Sequence, residues 1–234
     1  MRYNRVRSSH ANMEIAHLIP PVTRRPPTRG PIENLPDQPD LAKLLELAAR
    51  EHHHLCPRQV LGVRMGLWIG ELLGRKLPQT DKRLLLIVET DGCLVDALAA
   101  ATGCRVGWRT LRIEDYGKVA ATGADTLTGQ AVRVTPRPGC RERALAYAPE
   151  ARNKWEAQLL GYQRMPAAQL LSCETVQLTT GVAELLGTRR QRAVCEICGE
   201  EILNGREVPL DGRRLCRACA GPAYYRRPAP VDHD

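Results

Sequence analysis

Phenylalanine is absent from the 234 residues, and the aromatic share is only 4%, from three Trp and six Tyr. A core without phenyl rings has to be filled by Leu, Val, Ile and Ala. Long apolar runs are missing too. None exceeds the five residues of LLLIV, 84–88, far short of the ~18 a bilayer-spanning helix needs. A transmembrane helix is therefore excluded, and no membrane partner is expected. Near the N-terminus Asn12, Glu14 and His17 interrupt any apolar stretch that would make a secretory signal, so a cytoplasmic setting is expected. Met13 offers a second start. There is no polybasic block: the net charge of +8 is spread along the chain, with six Arg against four acids in residues 1–40 and nine against seven in 187–234. Binding to nucleic acid rests on clustered phosphate contacts, and this even spread argues against it. GxGxxG after a strand, the P-loop, HExxH and GxSxG are all missing, which leaves nucleotide-driven and serine-hydrolase chemistry without a motif.

What the chain does have is nine cysteines, an odd number, without an export signal. A disulfide framework is not expected from that. Four of the nine read Cys195-x2-Cys198-x17-Cys216-x2-Cys219. Paired knuckles at this spacing supply the four soft, tetrahedral ligands of a structural zinc. A module of about 30 residues buries too little apolar area to fold alone, so the metal supplies most of its folding free energy. Arg213, Arg214 and Arg217 are close enough in sequence to offset four thiolates. Asn204-Gly205 and Asp211-Gly212 mark tight turns between short strands at about 200–203, 206–210 and 213–215. Cys216 and Cys219 then start a final helix, which makes the module a treble clef.

The rest of the chain divides by composition. Residues 1–36 read as a Pro/Arg-rich disordered tail, since PPVTRRPPTRGP (20–31) offers neither helix nor core. Residues 37–186 form the main domain, 187–221 the finger and 222–234 a loose tail. In the main domain Asp40 caps a helix with Leu41, Leu44, Leu45 and Ala48 on one face. Pro57 opens a second helix that stops at Gly74, and Gly62, Gly66 and Gly70 leave it one smooth face. RLLLIVE (83–89) is a buried strand, and Asp91 caps a third helix ending at Gly103. Strand-like segments follow at 109–115, 118–122, 127–136 and 172–178, with helices at 140–147 and 150–161. Strands that succeed one another without alternating helices predict an α+β domain with a mainly antiparallel sheet packed with helices.

A second cluster of chemistry precedes Pro57. In an extended EHHHLC segment His52, His54 and Cys56 point to one side. Two imidazoles and a thiolate suit zinc or iron, and three ligands leave a coordination position open. The alternative is a loop of solvated histidines. Cys93 sits at the predicted start of the third helix, where backbone N–H groups favour a thiolate. It is a fourth ligand, a nucleophile, or only a small buried hydrophobe. Asp96, one turn on, can orient a ligand. Tyr116 and Lys118, in EDYGK, offer a phenol and an ammonium for an anionic group. Cys104, Cys140 and Cys173 show no ligand spacing.

Taken in order, HxHLCP, LGVRMG, DGCLVDALAAATGC and DYGKVA resemble the FmdE family over roughly residues 40–180. That family is associated with formylmethanofuran dehydrogenase, and its members often add a treble-clef finger. The resemblance implies an α+β core, a homodimer, and a metal-associated cleft at His52, His54, Cys56, Cys93 and Asp96, with Tyr116 and Lys118 nearby. The chain departs from the family pattern Phe-His-Gly-His-x-Cys-Pro-Gly by carrying His53 and Arg58 in place of glycines, which bears on the loop's backbone and the width of the cleft. The expectation is a metal-binding accessory protein of a redox metalloenzyme, with a structural zinc in the finger and a second metal, zinc or iron, in the core. Two alternatives stay open. One is a metal-dependent enzyme using the same cleft, with Cys93, Asp96, Tyr116 and Lys118 as catalytic candidates. The other is a finger that binds nucleic acid or protein through Arg189, Arg190, Arg192, Arg213 and Arg214.

Overall fold

A computed structural model describes residues 40–187 and 190–226. The expected tail at 1–36, Arg189 and residues 227–234 lie outside them; 222–226 carry no helix or strand.

The main sheet has five strands: β1 (Leu84–Val88), β2 (Leu111–Ile113), β3 (Ala121–Asp125), β4 (Ala131–Pro136) and β5 (Leu171–Val176). Their order is β2-β1-β3-β4-β5. Only β1 and β2 run parallel, with Leu86 opposite Leu111; the other neighbours are antiparallel. The fold is thus α+β with an antiparallel-dominated sheet.

Three helices build the layer that positions the candidate site: α1 (Leu41–His52), α2 (Pro57–Leu72) and α3 (Cys93–Thr102). Asp40 caps α1 as its sequence implies, its carboxylate accepting the Ala42 N–H at 2.9 Å. The apolar face of α1 buries Leu44, Leu45 and Ala48. The glycines of α2 explain its partner. A Cβ on Gly62 would stand 2.7 Å from the Ala97 methyl and 2.9 Å from the Leu94 carbonyl; one on Gly66 would stand 2.9 Å from the Ala101 methyl. Helix α2 therefore meets the alanine face of α3 backbone to backbone. The core fills with Leu, Val, Ile, Met and Ala, and among the described residues Tyr162 is the one aromatic ring fully buried in it, at 1% exposure.

Several boundaries differ from the sequence reading. Asp91 does not cap α3; Gly92 is the residue before it, and no side chain caps that end. The helix expected at 140–147 is a short α4 (Cys140–Arg143) followed by a 3-10 turn at Ala144–Tyr147. The helix expected at 150–161 is α5 (Lys154–Arg164), because Asn153 captures the Glu156 N–H at 2.9 Å. Arg64 of α2 reaches the far end of α5 and donates to the carbonyls of Tyr162, Gln163 and Met165 at 2.7–3.0 Å. Those carbonyls have no intrahelical partner, so a cation there both satisfies them and meets the negative end of the helix dipole. Two short helices, α6 (Ala167–Leu170) and α7 (Val182–Leu186), have no counterpart in the sequence reading.

The C-terminal part holds β6 (Arg192–Val194) paired with β7 (Glu201–Leu203), β8 (Val208–Leu210) paired with β9 (Arg213–Leu215), and the one-turn helix α8 (Arg217–Ala220). Asp211 and Gly212, at φ 50 and 75, make the two-residue turn of the second hairpin. Among the described residues no helix is long and apolar enough to cross a membrane.

Candidate metal centres

The finger brings its four cysteines together. Cys195 and Cys198 lie on the knuckle between β6 and β7, Cys216 precedes α8 and Cys219 lies within it. All four Sγ atoms fall within 4.8 Å of one another, and Cys198 and Cys216 are 3.9 Å apart. Thiolates at the corners of a zinc tetrahedron stand ~3.8 Å apart given Zn–S bonds of ~2.3 Å, so the residues fit the ion. Among the described residues Ala193, Ile202 and Leu215 are the only buried apolar residues beside Cys195 in this small core, which is why a metal has to hold it. The crowding shows in the thiols themselves. The N–H groups of Cys198 and Cys216 pull Cys195 down to about 6. The thiol of Cys216 and then burial push Cys219 up to about 12. A divalent cation resolves that conflict by replacing the protons. Arg213 and Arg214 lie around Glu196, the first donating to its carbonyl at 2.9 Å, and Arg192 pairs with Glu201 at 2.9 Å. These arginines are committed to the finger itself rather than to an open cationic face.

In the core the expected extended triplet does not form. His52 is the last residue of α1, and His53 turns the chain with φ 63. His52, His54 and Cys56 therefore do not follow one another along a strand. Instead His52 Nδ1 meets Asp96 Oδ2 at 3.1 Å, and its ring lies 4.9 Å from that of the exposed His54. Cys56 meets Cys93, Sγ to Sγ, at 3.5 Å. Asp96, one turn into α3, thus holds the His52 ring. With Nδ1 engaged, His52 has Nε2 left for an ion. Among the described residues the finger is the only group of three or more His, Cys, Asp or Glu whose ligand atoms all lie within 4.8 Å. The core residues form two pairs, a thiol pair and an imidazole–carboxylate pair. The thiol pair has the spacing of two ligands on one tetrahedral ion.

Cys93 does not behave as its place at the start of α3 predicts. Burial, then contact with the Cys56 thiol, pushes it up to about 11; Arg58 and the helix backbone pull the other way and lose. Arg58, where the family pattern has glycine, thus puts a cation beside the thiol pair.

Sequence reading missed the residue that holds this loop. Gln59 is fully buried, donates to the Ala48 carbonyl at 2.9 Å and accepts the Cys56 N–H at 2.9 Å. It ties the body of α1 to the first turn of α2, so the residues between them have little freedom. A glutamine three residues into a helix is a capping-box signal that could have marked it. Glu89 and Arg133 gave no signal. Glu89, buried at the end of β1, is gripped by Arg133 through both carboxylate oxygens at 2.5 and 2.8 Å, and Arg133 also reaches Glu174 at 3.0 Å. The Arg133 hydrogen bond holds the Glu89 carboxyl below its ordinary range despite burial. The Glu89 carbonyl in turn accepts the N–H groups of Tyr116 and Lys118 at 3.0 Å each. Both side chains are exposed, with the Lys118 ammonium 5.9 Å from the Tyr116 ring. Neither makes a hydrogen bond to Cys56 or Cys93.

Parts of the chain resemble known proteins. Residues 188–225 match the prokaryotic dksA/traR C4-type zinc finger, and the four-cysteine cluster lies inside that range. A probable S-adenosyl-L-methionine-binding protein of Archaeoglobus fulgidus is 37% identical over 108 residues, covering 45% of this chain and 30% of that protein. The chain thus spans under a third of that relative's length. A crystal structure of a tungsten formylmethanofuran dehydrogenase FmdE-like protein from Syntrophus aciditrophicus aligns with 79% of this chain and 94% of its own, at 23% identity and a TM-score of 0.48. The family profile described as FmdE, molybdenum formylmethanofuran dehydrogenase operon, matches residues 51–178. That is more than half of the sequence and includes both the thiol pair and the His52–Asp96 pair, so the chain belongs to the FmdE family.

Proposed function

We propose that this chain is a metal-binding accessory protein of a redox metalloenzyme, with a structural zinc in the finger and a second, open metal site in the core. The second site takes zinc or iron on Cys56 and Cys93, and binding of the ion draws in His52 Nε2 as a third protein ligand, with His54 stacked near His52. The observation that carries this reading is the 3.5 Å approach of Cys56 to Cys93; the His52 imidazole, the proposed third ligand, is held by Asp96 at 3.1 Å. Thiolate–imidazole sets suit these ions, and three ligands leave a position for an exogenous group, where a bound ion supplies Lewis acidity.

The enzyme served is of the formylmethanofuran dehydrogenase kind, on the strength of family membership alone. A homodimer belongs to the same reading, and light scattering of the full chain reads it directly. Metal counting by mass spectrometry on protein purified with its native ions tests the core site. Two ions per chain, falling to one in Cys56→Ser, are expected. A single ion unaffected by that substitution overturns the site. For the accessory role, tagged full chain recovered from its own cells is expected to carry molybdenum or tungsten along with a partner enzyme; recovery without either metal removes that part.

A further inference from the structure

The sheet edge and the finger enclose a cleft that none of the preceding chemistry uses. Its volume is about 740 Å³, and its walls come from the turn before β2, β2 itself, α7, residues 204–208 of the finger and the start of α8. Gly187 makes the crossing between the two walls with φ 63 and ψ 170, a conformation that only glycine adopts readily. A Cβ there would stand 2.9 Å from the Asn204 carbonyl and 3.2 Å from the Arg109 guanidinium. Arg109 itself reaches Asn204 Oδ1 at 3.4 Å. The walls are therefore in direct contact at one end and open at the other.

Four arginines line this space: Arg109 and Arg112 from the core, Arg206 and Arg217 from the finger. Among the described residues Arg112, Arg206 and Arg217 have no carboxylate within ion-pair distance. Partial burial and then the guanidinium of Arg206, with smaller parts from Arg109 and Arg217, hold Arg112 below its ordinary value against the opposing pull of Glu114. Like charges gathered in a concave, partly desolvated space repel one another unless an anion joins them. Guanidinium forks match phosphate geometry in pairs. Three glutamates, Glu114, Glu184 and Glu207, share the same walls, and one Glu207 oxygen is buried without a hydrogen-bond donor. Interleaved carboxylates repel a long polyanion. They suit a compact ligand with both phosphates and hydroxyl or amino groups to donate, as a glutamate receives a ribose hydroxyl in other nucleotide sites. The volume lies within the ~300–1,000 Å³ of small-molecule pockets.

We propose that this cleft binds a nucleotide, its phosphates on Arg109, Arg112, Arg206 and Arg217 and its sugar or base on the glutamates. The site is independent of the core metal. It makes the zinc finger a structural half of a ligand site, since Arg206 and Arg217 reach the cleft only when the finger is folded.

Isothermal titration of the zinc-loaded full chain tests it, with ATP, inorganic pyrophosphate, adenosine and a 20-nucleotide single strand as probes. One ATP per chain is expected, with pyrophosphate and adenosine each weaker. Arg112→Ala and Arg217→Ala should each weaken ATP by about tenfold, the factor that loss of one charge-assisted pair produces. Lys43→Ala, on the exposed face of α1, should leave it unchanged, and circular dichroism and zinc content report folding of every variant. The proposal is overturned by absence of ATP binding at millimolar concentration, or by binding that both arginine variants retain. It is overturned equally if the single strand binds more tightly than ATP through the same arginines, which would make the cleft a nucleic-acid site.

Discussion

Cys56 and Cys93 stand 37 residues apart in sequence and 3.5 Å apart in space. One is the last residue before α2, the other the first of α3. Their meeting follows from the glycine face of α2, which lets the two helices lie close enough for their N-terminal ends to share one sulfur pair.

On the proposed core site, the carboxylate that holds His52 should tune metal affinity. Asp96→Asn keeps the shape of the His52 contact and removes its charge. Affinity for a core ion, measured by competition with a chromophoric chelator, is expected to fall about ten- to hundredfold, the usual cost of losing an outer-sphere partner. An unchanged affinity would mean that His52 is not a ligand.

The finger should depend on its ion and the core should not. Chelation of zinc is expected to collapse the amide resonances of residues 192–220 in a two-dimensional NMR spectrum, while those of α1, α2, α3 and the main sheet persist. Loss of both sets together would show that the core also needs a metal to fold.

The α2–α3 contact predicts an inversion of helix propensity. Glycine to alanine inside an exposed helix gains ~1 kcal/mol. At Gly62 the new methyl meets the Leu94 carbonyl at 2.9 Å, and backbone cannot swing aside. Gly62→Ala should therefore lose about 1–3 kcal/mol in chemical denaturation. A gain would mean that the two helices are not in that contact.

His53 holds a left-handed backbone, φ 63, at a position where the family pattern has glycine. Such a conformation costs an L-residue ~1–2 kcal/mol. His53→Gly is expected to stabilise the chain by about 1 kcal/mol without changing metal content, read from denaturation midpoints and metal analysis together. Destabilisation would assign the His53 side chain a contact of its own.

Acid stability has one identifiable source in the core. Burial raises the Asp125 carboxyl, but the Arg83 guanidinium, at 2.6 and 2.9 Å, and the N–H groups of Thr128 and Leu127 outweigh it and hold it down to about 2. An unfolded aspartate titrates near ~3.9. Between those values the unfolded chain binds more protons, so stability rises with pH. The contribution, about 2–3 kcal/mol, is complete above pH ~4 and lost as pH falls toward ~2. Asp125→Asn should be less stable than wild type at neutral pH and converge with it near pH ~2. A constant difference across that range would place the ionised carboxylate elsewhere.

Local features were readable in the linear chain. The two CxxC pairs announced the finger because ligand spacing is a property of a few consecutive residues. Asp40, Pro57 and Gly74 marked helix ends because caps act within one turn. Asp96 was singled out beside Cys93 because one helical turn separates residues at positions i and i+3. Where a boundary depended on competition between neighbours, as between Asp91 and Gly92 or along 140–164, the pattern alone misjudged it.

Composition and spacing by themselves settled that the chain has an aliphatic core, a mixed α+β build and a four-cysteine zinc module. Each of those rests on interactions within a short stretch or on an average over the whole. Tertiary structure decided the rest. Only packing could show that His52 ends a helix and turns to Asp96, that Cys56 faces Cys93, and that Gln59 and Glu89 brace the loops around them. The same holds for Arg112 and Arg217, which line one cleft from distant places in the sequence. Side chains distant in sequence find one another through the shapes of the helices and sheet that carry them, and no local pattern encodes that distance.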